Sequence, residues 1–110
     1  MITLELPYPP SVNHYWRQNY ERGHTYISQE GLTYRDIVFV LVRNKRVKTM
    51  KGRLRVVVEV YPPDRRRRDL DNTQKALNDS MQNARVFEDD CQIDDLRIVR
   101  REPVKGGKVV

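Results

Sequence analysis

The sequence predicts one small α+β domain over residues 1–110, with a mixed β-sheet of about four strands and two helices. Three observations predict it. A chain of 110 residues fits a single domain. Apolar and polar residues alternate in separate short segments, the period of strands with one buried face. Between those segments lie two stretches whose apolar residues recur at helical spacing.

Ile2, Leu4 and Leu6 alternate with Thr3 and Glu5, an opening strand that Pro7 ends. From Pro7 to Thr25 the chain carries Pro9, Pro10, Asn13, Asn19 and Gly23 and reads as an extended, irregular loop. Five of the nine aromatics, Tyr8, Tyr15, Trp16, Tyr20 and Tyr26, fall in it or just after it. Ser28 suits a helix N-cap. Tyr34, Ile37 or Val38, Leu41 and Lys45 follow at helical spacing; the β-branched run from Ile37 also suits a strand, but the periodicity favours a helix.

Seven Lys/Arg and no acid lie between Arg43 and Arg55, a solvated basic face. Leu54, Val56, Val58 and Val60 then alternate with Arg55, Val57, Glu59 and Tyr61 in a strand stopped by Pro62 and Pro63. Leu70, Leu77, Met81 and Ala84 share one side of a helical projection, with Lys75 and Asp79 on another, which predicts an amphipathic helix to about Asn83. Arg85 to Cys91 is an acidic turn region, Ile93, Leu96, Ile98 and Val99 predict a further strand, and Gly106-Gly107 a hairpin turn into a last strand at Lys108 to Val110. There is no internal repeat, low-complexity tract or linker.

Composition narrows the function. With 38% hydrophobic and 33% charged residues the core must be thin, so self-association or ligand stabilisation is expected. The longest apolar run, Ile37 to Val42, falls far short of the roughly 20 residues of a membrane span. One cysteine and no basic-then-apolar start predict a reducing, cytoplasmic location. A net charge of +6 points to phosphate backbones as partners, although solubility alone also accounts for it. Nine of the fifteen acids lie between Asp64 and Asp95, inside an otherwise basic protein, and that concentration requires a reason.

Asp69 and Asp71 supply one. If Leu70 is extended, both carboxylates project to the same side while Leu70 points into the core. Such a pair suits a hard cation such as Mg²⁺, which keeps several waters and takes substrate phosphate as a further ligand. Asp89 or Asp90 would add a third carboxylate if the chain runs back after the helix. Lys75, four residues after Asp71, stands on the same helical face and would offset charge developing on a phosphate. Plainer readings are an N-cap at Asp69 or Asp71 and an exposed Asp71–Lys75–Asp79 ladder. The run Arg65, Arg66, Arg67 and Arg68 beside the carboxylates tilts the balance toward a metal nuclease, since a cap needs no such neighbours.

The segment from Pro63 through the arginine run to Asp69-Leu70-Asp71-Asn72, continued by Gln74, Lys75 and Asp79, resembles the metal-site segment of the RusA family of Holliday junction resolvases. The resemblance extends from end to end: Pro9-Pro10-Ser11-Val12-Asn13 with Tyr15, Trp16 and Arg17, then Ser28, Glu30, Gly31, Tyr34-Arg35-Asp36, Asp89-Asp90-Cys91-Gln92 and Lys105-Gly106-Gly107. It implies a RusA-like fold and a bacterial or phage endodeoxyribonuclease acting in DNA recombination and repair. It also implies metal-site carboxylates at Asp69, Asp71 and Asp90, a catalytic Lys75, one or two Mg²⁺ ions per site, and a homodimer that nicks four-way junctions symmetrically. The chain departs from the family pattern at Arg85, where relatives commonly carry glycine, and at Asp79-Ser80-Met81, where Asp-Ala-Leu is usual.

Arg65 to Arg68, Arg17, Lys105, Lys108 and the Arg43–Arg55 face are expected to contact DNA phosphates, with little base information. Tyr15, Trp16 and Tyr20 either stack on unpaired bases at the branch point or pack the loop against the core. His14 and His24 read as loop residues and Cys91 as a packing residue. The competing functions are a non-catalytic nucleic-acid-binding module and a nuclease of the same chemistry acting on flaps or forks.

Overall fold

The alternation at Leu54 to Val60 becomes the central strand of a sheet in the computed structural model, which describes residues 2–19 and 24–110. The elements in order are β1 (Leu6–Pro7), α1 (Val12–Tyr15), β2 (Trp16–Asn19), β3 (His24–Ile27), α2 (Gln29–Asn44), β4 (Leu54–Tyr61), a 3₁₀ turn at Leu70–Thr73, α3 (Gln74–Asn83), a second 3₁₀ turn at Asp90–Gln92, β5 (Ile93–Arg100) and β6 (Lys108–Val109). Four strands form the mixed sheet, in the order β1-β6-β4-β5. β4 and β5 run parallel, from Leu54↔Ile93 to Val60↔Arg100, and the other pairings are antiparallel.

Period two holds along β4. Val58 and Val60 are buried and Leu54 and Val56 pack beside them, whereas Val57 is 52% exposed. The covering layer is α2 and α3: Tyr34, Val38 and Val42 of one join Leu77 and Met81 of the other, with Leu6, Phe87 and Val109, in one core. Ser28 caps α2 as expected, its Oγ accepting the Gly31 N–H at 3.0 Å. The β-branched run is helical because its one buried member, Val38, falls on the Gly31–Tyr34–Val38–Val42 stripe while Ile37 and Val40 stay exposed. Gly31 is required by close approach, since a Cβ there would lie 2.9 Å from the Tyr15 carbonyl oxygen.

Both long helices end on an arginine in left-handed backbone. At α3 the Arg85 N–H donates to the Gln82 carbonyl at 3.1 Å and the Val86 N–H to the Met81 carbonyl at 3.0 Å, with Arg85 at φ 64. This is the pairing that usually takes glycine, and Met81 and Val86 make its buried apolar clasp. Arg46 holds the equivalent place after α2 at φ 54.

Four local expectations are corrected. The opening strand contracts to Leu6–Pro7, because β6 offers only Val109 and Lys108 in register. The Pro7 to Thr25 loop contains α1 and a hairpin of β2 and β3, pairing Trp16↔Ile27 through Asn19↔His24. The Gly106-Gly107 turn does not join adjacent strands, for β6 pairs with β4 and β1 and β4 separates it from β5. Leu70 is 38% exposed and lies in a 3₁₀ turn, so it neither enters the core nor separates Asp69 and Asp71 as an extended residue. Among the described residues, no helix is long and apolar enough to cross a membrane.

Candidate active site

Pro62 and Pro63 end β4 and turn the chain into the arginine run at the end of the sheet where Arg100 closes β5. The run is braced from within. Asp64 Oδ1 accepts from Arg68 Nη1 at 2.7 Å and from the Arg66 backbone N–H at 2.9 Å, and the Arg68 guanidinium, followed by that N–H, lowers the Asp64 pKa to about 2. Arg100 Nη2 in turn donates to the Arg68 carbonyl, tying the loop to β5. Arg65 stands 3.7 Å from Glu102, while the exposed Arg67 side chain has no hydrogen bond or ion pair among the described residues. These groups line an open cleft of about 780 Å³ with Tyr8, Asp69, Thr73 and Arg101.

Asp69 begins the 3₁₀ turn in extended backbone, φ −77 and ψ 141, without a side-chain capping bond, so its carboxylate is not consumed as an N-cap. Asp71 follows in the first turn, exposed. Neither carboxylate has a hydrogen bond or ion pair among the described residues, and neither does the exposed Lys75 ammonium one turn on. The Asp71–Lys75–Asp79 ladder does not form. Asp79 instead accepts from the Tyr15 hydroxyl and lies 3.6 Å from Arg35 Nε. Two exposed carboxylates without protein partners beside a cationic cleft fit a hard divalent cation, whose ligands are carboxylate, water and phosphate oxygens.

Asp90 is elsewhere. It opens the second 3₁₀ turn, immediately before β5, and its N–H donates to Gln82 Oε1 at 3.1 Å. Since β4 and β5 are parallel, this turn sits at their Leu54–Ile93 end, whereas Asp69 and Asp71 follow the Val60–Arg100 end, roughly 20 Å of strand away. Among the described residues no three Asp, Glu, His or Cys side chains gather in a metal-holding group. Asp89 has a separate duty: its carboxylate accepts the Cys91 N–H at 2.9 Å, which lowers its pKa, and Gln92 completes the capping box.

Comparison with known proteins gives the family. Residues 7–109 match the family described as Endodeoxyribonuclease RusA. The chain belongs to the RusA family. It is 43% identical over 108 residues to the crossover junction endodeoxyribonuclease RusA of Shigella sonnei (strain Ss046), covering 97% of this chain and 88% of that one. The Escherichia coli (strain K12) protein of the same name is 42% identical over the same coverage. The crossover junction endodeoxyribonuclease rusA of Enterobacteria phage HK97 is 47% identical over 106 residues, 94% of this chain and 86% of the relative.

The other residues expected to act in this RusA-family chain divide sharply. Tyr15 has no exposed surface; burial, then its bond to Asp79, pushes its hydroxyl pKa upward, and it meets Trp16 edge-on at 5.3 Å. It packs the N-terminal segment and offers no face to a base. Trp16 is half-buried, His14 is exposed, the Arg17 and His24 side chains and all of Tyr20 lie outside the described residues, and Lys105 is exposed and unpaired among the described residues. Lys108 is engaged internally, 3.2 Å from Glu5 and over the Tyr61 ring. Part of the Arg43–Arg55 face is likewise neutralised, by Arg53 with Asp94 at 2.9 Å, Arg55 with Asp95 at 3.1 Å and Lys51 with Glu88 at 3.8 Å. Cys91 is exposed and not a packing residue, because the 3₁₀ turn carries it outward. Sequence reasoning missed Arg100 and Arg101 in the cleft; their only signal was a basic pair ending a strand.

Proposed function

We propose that this RusA-family chain is a Mg²⁺-dependent, structure-selective endodeoxyribonuclease that resolves four-way DNA junctions by paired symmetric nicks during recombination and repair. The observation that carries the reading is the pair of exposed carboxylates, Asp69 and Asp71, free of protein partners beside the arginine cleft. Asp69 and Asp71 hold the cation, and Lys75 offsets charge growing on the phosphate. Mg²⁺ supplies Lewis acidity at the scissile phosphate and a nucleophile at neutral pH. Arg65, Arg66, Arg67 and Arg68 grip the backbone, aided by Lys105, Trp16 and Arg17, so junction shape governs selection more than base identity. The products are ligatable 5′-phosphate and 3′-hydroxyl nicks, made in a bacterial or phage-infected cytoplasm.

The placement of Asp90 supports catalysis by a homodimer. One chain cannot bring Asp90 to Asp69 and Asp71 across the length of β4. A twofold axis crossing the β4–β5 pair sets the partner's strands antiparallel and brings Asp90 of each copy to the opposite copy's Asp69 and Asp71. β5 has an unpaired outer edge among the described residues, and Leu96 on it is 41% exposed, which supports apolar contact there. Two shared sites then face the two strands that a symmetric junction presents.

The test is incubation of purified protein with end-labelled four-way, forked and linear DNA, with and without Mg²⁺. Symmetric, Mg²⁺-dependent nicking of the four-way substrate is expected. Preference for forks or flaps would reassign the substrate, and junction binding with no cleavage in any metal would reduce the chain to a binding module.

A further inference from the structure

We propose that Arg85, with Arg35, forms a second DNA-phosphate site beside the Asp90 turn, at the opposite end of α3 from the arginine cleft. The two guanidinium groups line a pocket of about 450 Å³ with Asp79, Gln82, Asn83 and Glu88. Its acids have their own partners: Asp79 takes the Tyr15 hydroxyl and Arg35, and Glu88 lies 3.8 Å from Lys51. The exposed Arg85 side chain has no hydrogen bond or ion pair among the described residues. Arg35 is held in place by donating to Asn83 Oδ1 and by Asp79, 3.6 Å from its Nε. A phosphate brings the acceptor oxygens that planar guanidinium groups recognise.

The backbone makes the same point. Arg85 stands at φ 64, where glycine would carry no steric penalty, so the arginine is kept against its conformational preference. Helix-end charge alone favours a cation there, and Arg46 shows that option at φ 54 after α2, outside this pocket. Gln82 couples the site to the reaction, for its Oε1 accepts the Asp90 N–H at 3.1 Å. Phosphate bound at Arg85 therefore anchors the strand next to the third carboxylate.

This rests on the junction-nuclease reading, and the test separates the two. Affinity for a labelled four-way junction is measured without divalent metal over a series of salt concentrations, for the wild type, Arg85→Gly and Arg85→Lys. Arg85→Gly relieves the left-handed backbone and should melt no lower than wild type. It is expected to weaken binding several-fold and to reduce the slope of log affinity against log salt by about one, whereas Arg85→Lys, which keeps the charge, should keep the wild-type slope. Wild-type affinity and slope in Arg85→Gly, or the same loss of slope in both variants, would overturn the phosphate site while leaving the nuclease reading intact. Absence of wild-type junction binding would overturn both.

Discussion

Asp64 and Arg68 close the arginine run on itself, Nη1 donating to Oδ1 at 2.7 Å across one turn of chain. The acid that precedes the run is thus a brace, and the two acids that follow it, Asp69 and Asp71, are left open to solvent. Position along the chain does not distinguish these three carboxylates; their partners do.

Removing the brace should loosen the cationic cleft. Asp64→Asn is expected to raise KM for junction DNA several-fold with little change in kcat. A fall in kcat at unchanged KM would place Asp64 in the chemistry. The Asp64 pKa, depressed to about 2, also sets a pH dependence. Its contribution to stability is complete above the ordinary carboxylate pKa, near 4, and is lost as pH falls through about 2. Denaturant unfolding of wild type and Asp64→Asn should therefore differ at pH 6 and converge below about pH 2.

Asp71→Asn should abolish Mg²⁺-dependent nicking while junction binding persists. Because Asp71 is exposed and unpartnered among the described residues, its thermal stability should stay within about 0.5 kcal/mol of wild type. Unchanged cleavage by the variant would remove Asp71 from the metal site.

Complementation between defective chains tests the shared site. Asp71→Asn and Asp90→Asn should each be inactive alone, but a mixed dimer retains one intact pair: Asp69 and Asp71 from one copy with Asp90 from the other. Mixing after joint refolding should restore single-strand nicking of junctions. If each site were built within one chain, mixing would restore nothing.

Lys75→Ala should slow cleavage under single-turnover conditions far more than it weakens binding, since the ammonium has no structural partner to lose among the described residues. Matched losses in rate and affinity would make Lys75 a phosphate grip only.

Tyr15→Phe keeps the buried ring but removes the donor to Asp79. It should cost about 1–2 kcal/mol of folding stability, read from the urea midpoint, and leave the affinity for branched DNA unchanged at temperatures where the variant is folded. Selective loss of junction affinity would return Tyr15 to the DNA surface.

Most of the regular structure was legible along the chain. Leu54 to Tyr61 and Gln29 to Asn44 follow from consecutive residues whose spacing repeats at two and at 3.6, and Ser28 caps where a hydroxyl is needed. The β2–β3 hairpin was not legible, because among prolines and polar aromatics no alternation announces it. The arginine run and the Asp69–Asp71 pair were legible as composition, and their resemblance to a known family identified the chemistry. Which acid is braced, which is free and which faces Tyr15 was not, since side-chain partners come from segments far apart in the chain: Tyr15 with Asp79, Arg100 with Arg68.

The sequence by itself determined the elements, the charge pattern and the candidate carboxylates, because each depends on near neighbours. Only the tertiary structure decided that Asp90 and the Asp69–Asp71 pair stand at opposite ends of α3 and of the β4–β5 pair. The physical reason is strand direction: β5 lies parallel to β4, so the turn before β5 meets the beginning of β4 and not its end. No local pattern encodes which way a strand will run beside its partner.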